Sequence, residues 1–140
     1  MEPLVKNLFK TFIISTAVAI GVNCAYFVYQ MHGIQYNHQD AATQISGGTL
    51  LLTVILSIMS LPVLFLLNPR YWNMVWLRIA LYFSGSVVFL LATFIIKSNS
   101  SDQIFELITG GVFLLTHSMF YYLVTKKKPV KKKYSRYTTR

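Results

Sequence analysis

Acidic side chains are nearly absent from this chain of 140 residues: four Asp/Glu stand against thirteen Lys/Arg, and charged residues make up 12% of the total. An average soluble domain carries about 25%, so there is too little charge here to cover an ordinary water-soluble fold. Cysteine is scarcer still. The single Cys24 excludes an intramolecular disulfide framework, a CxxC redox pair and a cysteine-rich zinc site. Absent as well are G-x-S-x-G, H-E-x-x-H, the Walker phosphate loop and G-x-G-x-x-G, and no two carboxylates pair at one depth. The chain therefore reads as non-enzymatic, with no cofactor and no metal centre.

What is present is apolar length. Hydrophobic residues make up 54% of the chain, and four stretches are long enough to cross a bilayer: 11–29, 48–67, 72–96 and 104–124. At about 1.5 Å per residue these runs of about 19 to 25 residues reach roughly 28 to 37 Å, matching a hydrocarbon core of about 30 Å. The second, GTLLLTVILSIMSLPVLFLL, holds no charge. Backbone polar groups need partners in lipid, so the runs are expected to be helices; they are too long for the strands of about ten residues in outer-membrane barrels. The first run has Lys6 and Lys10 before it and Ala17-Val18-Ala19 within it, but cleavage there would leave an apolar region of only about six residues, so a retained span is expected rather than a signal peptide. The fold class is thus all-α, a polytopic four-transmembrane-helix antiparallel bundle over residues 1–125.

The basic residues are unevenly placed. Residues 1–125 hold five Lys/Arg and four Asp/Glu, while the last fifteen positions hold eight Lys/Arg. With the N-terminus inside, the inner face receives Lys6, Lys10, Arg70, Arg78 and the eight tail residues, and the outer face receives Lys97. Twelve against one under the positive-inside rule puts both termini in the cytoplasm, in the plasma (inner) membrane if the source is bacterial. Tyr26, Tyr29, Tyr71, Trp72, Trp76, Tyr121 and Tyr122 fall toward the span ends, as an interfacial belt would. Residues 126–140 are too basic and too poor in apolar side chains to pack, and are expected to be disordered. Lys126, Lys127, Lys128, Lys131, Lys132 and Lys133 would contact anionic lipid headgroups, with no sequence-specific readout of nucleic acid.

Connections and small residues give local expectations. An outer loop spans 30–47; it carries His32, His38 and Asp40 without a metal-binding spacing. Asn68-Pro69 opens an inner turn. Pro62 should kink the second helix near 58–61, leaving Ser57 or Ser60 to satisfy the freed carbonyl. Asp102 is placed to cap the fourth helix. Ala17, Gly21 and Ala25 form a small-xxx-small-xxx-small row that serves either as a packing seam inside the bundle or as a homodimer face. Folding the hairpins puts Ser57 near Gly85, and His117 near Phe83 and Ser84.

Ionisable groups within the spans carry the best functional information, because they are costly there. Arg78 is close enough to the inner face to snorkel. Glu106 sits at the outer end of its helix, within reach of Lys97, and near the opposite face from Arg78. His117, with Ser84, Thr116 and Asn23 near Thr53, would give the bundle a thin polar interior. Two functions follow. The first is a non-catalytic accessory, assembly or immunity-like component that acts through helix contacts with a membrane-protein partner or a second copy. The alternative is a small transporter or lipid-handling carrier with a polar line through His117 and Glu106, joined by Ser84 and Asn23.

Overall fold

The computed structural model describes residues 2–33, 37–96 and 100–127, and these are helical almost throughout. The tail beyond 127, including Lys128, Lys131, Lys132 and Lys133, lies outside the described residues, as does Lys97 with its expected pairing to Glu106. Five α-helices follow in order: α1 (Glu2–Gln30), α2 (His38–Met59), α3 (Pro69–Asn73), α4 (Val75–Ile95) and α5 (Ser100–Lys127), with a 3-10 segment (Leu61–Leu67) between α2 and α3. Four segments are long and apolar enough to cross a membrane: Leu4–Gln30, Gln39–Leu67, Val75–Ile95 and Ser100–Lys126. They overlap the four apolar runs of the sequence and extend three of them.

The extensions have local causes. Asn37 starts α2 by accepting a bond from Gln39 N at 3.1 Å, and its amide donates to Asp40 Oδ2 at 2.7 Å. Most of the expected outer loop, 38–47, is therefore the first part of α2, with the charge of Asp40 in the favourable first turn. At the other end α2 does not merely kink. It stops at Met59, and Pro62, which has no N–H to give, sits in the first turn of the 3-10 segment. The expected hydroxyl rescue is also different: Ser57 and Ser60 donate to Thr53 O and Leu56 O, each at 2.8 Å. Asn68 Oδ1 accepts from Arg70 N at 3.0 Å and starts α3, so the inner turn contains a short helix. The third apolar run is broken at Met74. Asp102 lies inside the first turn of α5 rather than at its cap.

The four long helices form a bundle in which α1 packs on α2 and α5, α4 packs on α5 and α2, and α2 touches α5 through the middle. Among the described residues, the backbones of α1 and α4 do not approach within 8 Å, Cα to Cα, and the two helices lie on opposite sides. Each long helix buries one stripe at the helical spacing: Leu4, Thr11, Ser15, Ala19 and Asn23 on α1; Thr49, Thr53 and Leu56 on α2; Tyr82, Ser86, Phe89 and Thr93 on α4; Thr109, Phe113, His117, Phe120 and Val124 on α5. Among the described residues, buried polar side chains number ten, as many as the buried apolar ones, while large apolar groups such as Ile14, Leu51, Val88, Phe94, Leu115 and Met119 point outward. That distribution is the reverse of a water-soluble bundle and fits a multi-pass membrane protein. Most buried hydroxyls are satisfied within their own helix, Thr11 by Asn7 O, Thr53 by Thr49 O and Thr93 by Phe89 O.

Two apolar layers stack along the bundle. At the end holding the starts of α1 and α4 and the end of α5, here the basal end, Leu4, Val63, Leu66, Tyr82 and Val124 pack together. Leu56, Phe89 and Phe113 fill the middle. Gly85 brings α4 directly onto the Met59–Ser60 peptide where α2 ends, two to three residues beyond the expected Ser57.

Candidate functional site

Among the described residues, two side chains carry polar bonds between helices deep in the bundle. Asn23, fully buried, donates through Nδ2 to Thr49 Oγ1 at 2.9 Å and to Thr109 Oγ1 at 3.0 Å, tying α1 to α2 and α5. Its expected neighbour Thr53 is one turn further along α2 and bonds to its own helix instead. His117, 1% exposed, places Nε2 2.9 Å from the Tyr82 carbonyl oxygen. A carbonyl only accepts, so Nε2 is the donor. The imidazole stacks on Phe113 at 5.6 Å and meets Tyr82 at 4.1 Å and Phe83 at 6.1 Å.

These groups do not join into one line. His117 and Thr109 are eight residues apart on α5, about 12 Å by the helix rise, and the Leu56, Phe89 and Phe113 layer lies between them. Ser84 stays outside the polar interior, half-buried, with its hydroxyl 3.4 Å from Leu81 O. Ser86, not singled out in the sequence, is the serine that α4 buries. Thr116 bonds to Val112 O on its own helix. Among the described residues, Asn23 Oδ1, Ser86 Oγ and His117 Nδ1 are buried without a hydrogen-bond partner.

Glu106 is half-buried at the distal end, where it lines a cleft of about 320 Å³ with Asp102, Gln44, Thr49, Phe27 and Phe105. The cleft approaches the Asn23 cluster through Thr49. Arg78 lies at the basal end, where Nε donates to Tyr121 Oη at 3.1 Å and the guanidinium sits 5.2 Å from the Trp72 ring centroid. Tyr121 and Glu106 are fifteen residues apart on α5, about 22 Å, so the two charges are well separated, as their depth in the sequence implies. Tyr121 and Trp72 pack inward around Arg78, whereas Tyr29, Trp76 and Tyr122 point outward. Lys126 Nζ lies 5.6 Å from the Tyr122 ring.

The small-residue row has one clear placement. Ala17, Gly21 and Ala25 are exposed, on the side of α1 opposite the buried Ser15, Ala19 and Asn23. A β-carbon added at Gly21 would meet nothing within 4 Å. The row is therefore not a seam inside the bundle. A different α1 row, Thr11, Ser15, Ala19 and Asn23, packs there, and its four-residue spacing was available in the sequence. No protein-family profile, curated protein or solved structure matches the chain.

Proposed function

We propose that the chain is a non-catalytic, multi-pass membrane component, of the plasma (inner) membrane if the source is bacterial, that acts through helix contact, and that α1 carries the contact face. The observation behind this reading is the outward row Ala17, Gly21 and Ala25, flanked by the exposed apolar Ile14 and Val18. In lipid there is no hydrophobic force between helices, so association depends on close backbone approach, which a four-residue row of small side chains permits. The partner is a transmembrane helix, either of another membrane protein or of a second copy. The charge asymmetry supports cytoplasmic termini, with the lysine tail lying on anionic headgroups.

A second reading, a carrier, draws support from the distal cleft, where Glu106 and Asp102 face Gln44 and Thr49. The apolar layer of Leu56, Phe89 and Phe113 between that cleft and His117 favours the contact reading. Co-purification of the full chain from its native membrane tests the choice. A contact component is expected to come with a stoichiometric membrane partner or as a dimer, and to lose it in Gly21→Ile. Isolation as a stable monomer, together with proton or substrate flux in liposomes that disappears in Glu106→Gln, would overturn it.

A further inference from the structure

Among the described residues, Arg78 has no ion-pair partner of the kind an arginine at this depth ordinarily takes. The carboxylates with described side chains are all at the distal end, Asp40 and Asp102 in the first turns of α2 and α5 and Glu106 one turn further along α5. Arg78 is nevertheless held in place: Nε donates to Tyr121 Oη at 3.1 Å, Nη1 makes a long 3.5 Å contact to Trp72 O, and the rings of Trp72 and Tyr121 stand 5.2 and 5.8 Å from the guanidinium. Of its five N–H donors, two are used in this way, which leaves three with no acceptor among the described residues.

The backbone beside it points to the same kind of ligand. The long α4 begins at Val75 after the break at Met74, and no side chain caps it, so the first N–H groups of a 21-residue helix are left for an acceptor. Helical side chains lean toward their own N-terminus. The contact to Trp72 O shows that the Arg78 guanidinium reaches back past this uncapped start. Arg78 and the uncapped N–H groups thus belong to the same first turn of α4. Around them Met74, Val75 and Trp76 are exposed apolar surface, Trp76 at 87%, as expected at the level where headgroups meet acyl chains.

We infer that Arg78, clamped between Trp72 and Tyr121 at the start of α4, binds the phosphate of an anionic phospholipid. A phosphate diester offers two oxygens in the spacing of the guanidinium fork and further oxygens for helix N–H groups, and in an anionic lipid no headgroup ammonium offsets its charge, as choline does. This is a fixed site, distinct from the diffuse attraction of the lysine tail. It requires that the chain span a bilayer, but it does not depend on a protein partner, so it stands or falls separately from the contact function.

Trp72 is a built-in reporter, since the chain has two tryptophans and Trp76→Phe leaves Trp72 alone. The full chain carrying that change is placed in vesicles of dibrominated phosphatidylcholine with a small fraction of unbrominated phosphatidylglycerol, at a salt concentration that screens the tail. Preferential binding of phosphatidylglycerol relieves the quenching of Trp72 beyond its mole fraction. Arg78→Gln is expected to lower this preference about tenfold, as befits loss of a charge-assisted bond, and Arg78→Lys about threefold, because it keeps the charge without the fork. Helicity by circular dichroism verifies that each variant is folded, and the Lys variant decides the matter should the Gln variant not fold. Replacing Lys126, Lys127, Lys128, Lys131, Lys132 and Lys133 by Gln is expected to leave the preference in place. An unchanged preference in Arg78→Lys, or its loss on neutralising the tail, would overturn the site. Inorganic phosphate at matched ionic strength is expected to have no effect; displacement of the lipid signal by it would replace the lipid with a free anion.

Discussion

Gly85 rests on the Met59–Ser60 peptide so closely that a β-carbon at this position would come within 2.8 Å of Ser60 N. The contact is backbone against backbone, and it occurs where α2 gives way to the 3-10 segment ahead of Pro62. Neither side has a flexible side chain to move aside. Gly85→Ala is predicted to push α4 off α2 and to destabilise the bundle by about 1 to 3 kcal/mol, the cost of overpacking. Gly111→Ala, where an added β-carbon meets nothing within 4 Å, is predicted to leave stability unchanged. Thermal unfolding of both variants in one detergent checks the contrast, and equal melting temperatures would contradict it.

His117 is predicted to matter for its shape more than for its proton. Its ring stacks on Phe113 and Tyr82, so His117→Phe keeps the aromatic column and loses one hydrogen bond, about 1 kcal/mol. His117→Ala also leaves a cavity, and its total cost is predicted at about 3 kcal/mol or more. Denaturant titration is the measurement. A Phe variant as unstable as the Ala variant would show that the bond to Tyr82 O carries the site.

Asn23 joins three helices through one amide, bonding to Thr49 and Thr109 at once. Asn23→Ala is predicted to destabilise by about 1 to 2 kcal/mol. A double-mutant cycle with Thr109→Val should return a coupling energy of about 0.5 to 1.5 kcal/mol, in the range of interhelical bonds within membranes. Additive effects would mean that the bond contributes nothing to stability.

Much of this architecture is legible in the residues. The four apolar runs become the four long helices, as expected of segments whose length and apolar character would leave no other way to satisfy the backbone in lipid. Asn23 and His117 stand out as polar groups in apolar company, and both prove to be buried links between helices. Helix phase and contact register are less legible. Asn37 starts α2 at His38, and Thr49 rather than Thr53 then meets Asn23. Ser84 and Ser86 are two residues apart on α4 and point in different directions; hydropathy cannot choose between them, whereas packing buries Ser86. The Ala17, Gly21 and Ala25 row illustrates the same limit. Small residues permit close approach on any side of a helix, and only the competing row of Thr11, Ser15, Ala19 and Asn23 decides which side faces inward.

The lysine tail and the Arg78 clamp are predicted to differ in their response to salt. The tail's attraction is screened over about 10 Å at 0.1 M salt and falls steadily as salt rises. Arg78, half-buried between two rings, is screened less. Flotation of the tail-neutralised chain and of Arg78→Gln with anionic vesicles cannot separate them, since both chains stay inserted. Retention of co-purified anionic lipid across a salt series does: the clamp is expected to hold about one lipid per chain at high salt, and complete stripping would contradict this.

The outward face of α1 is tested most directly by cysteines placed one at a time from Ile13 to Val28, in a Cys24→Ala background, each labelled with a short thiol-reactive photocrosslinker and irradiated in native membranes. Contact through the small-residue row predicts adducts that peak at Ala17, Gly21 and Ala25 and fall to a minimum at Ala19 and Asn23, repeating with the period of the helix. A profile that is flat along the exposed positions, or free of adducts altogether, would contradict a contact function for this helix.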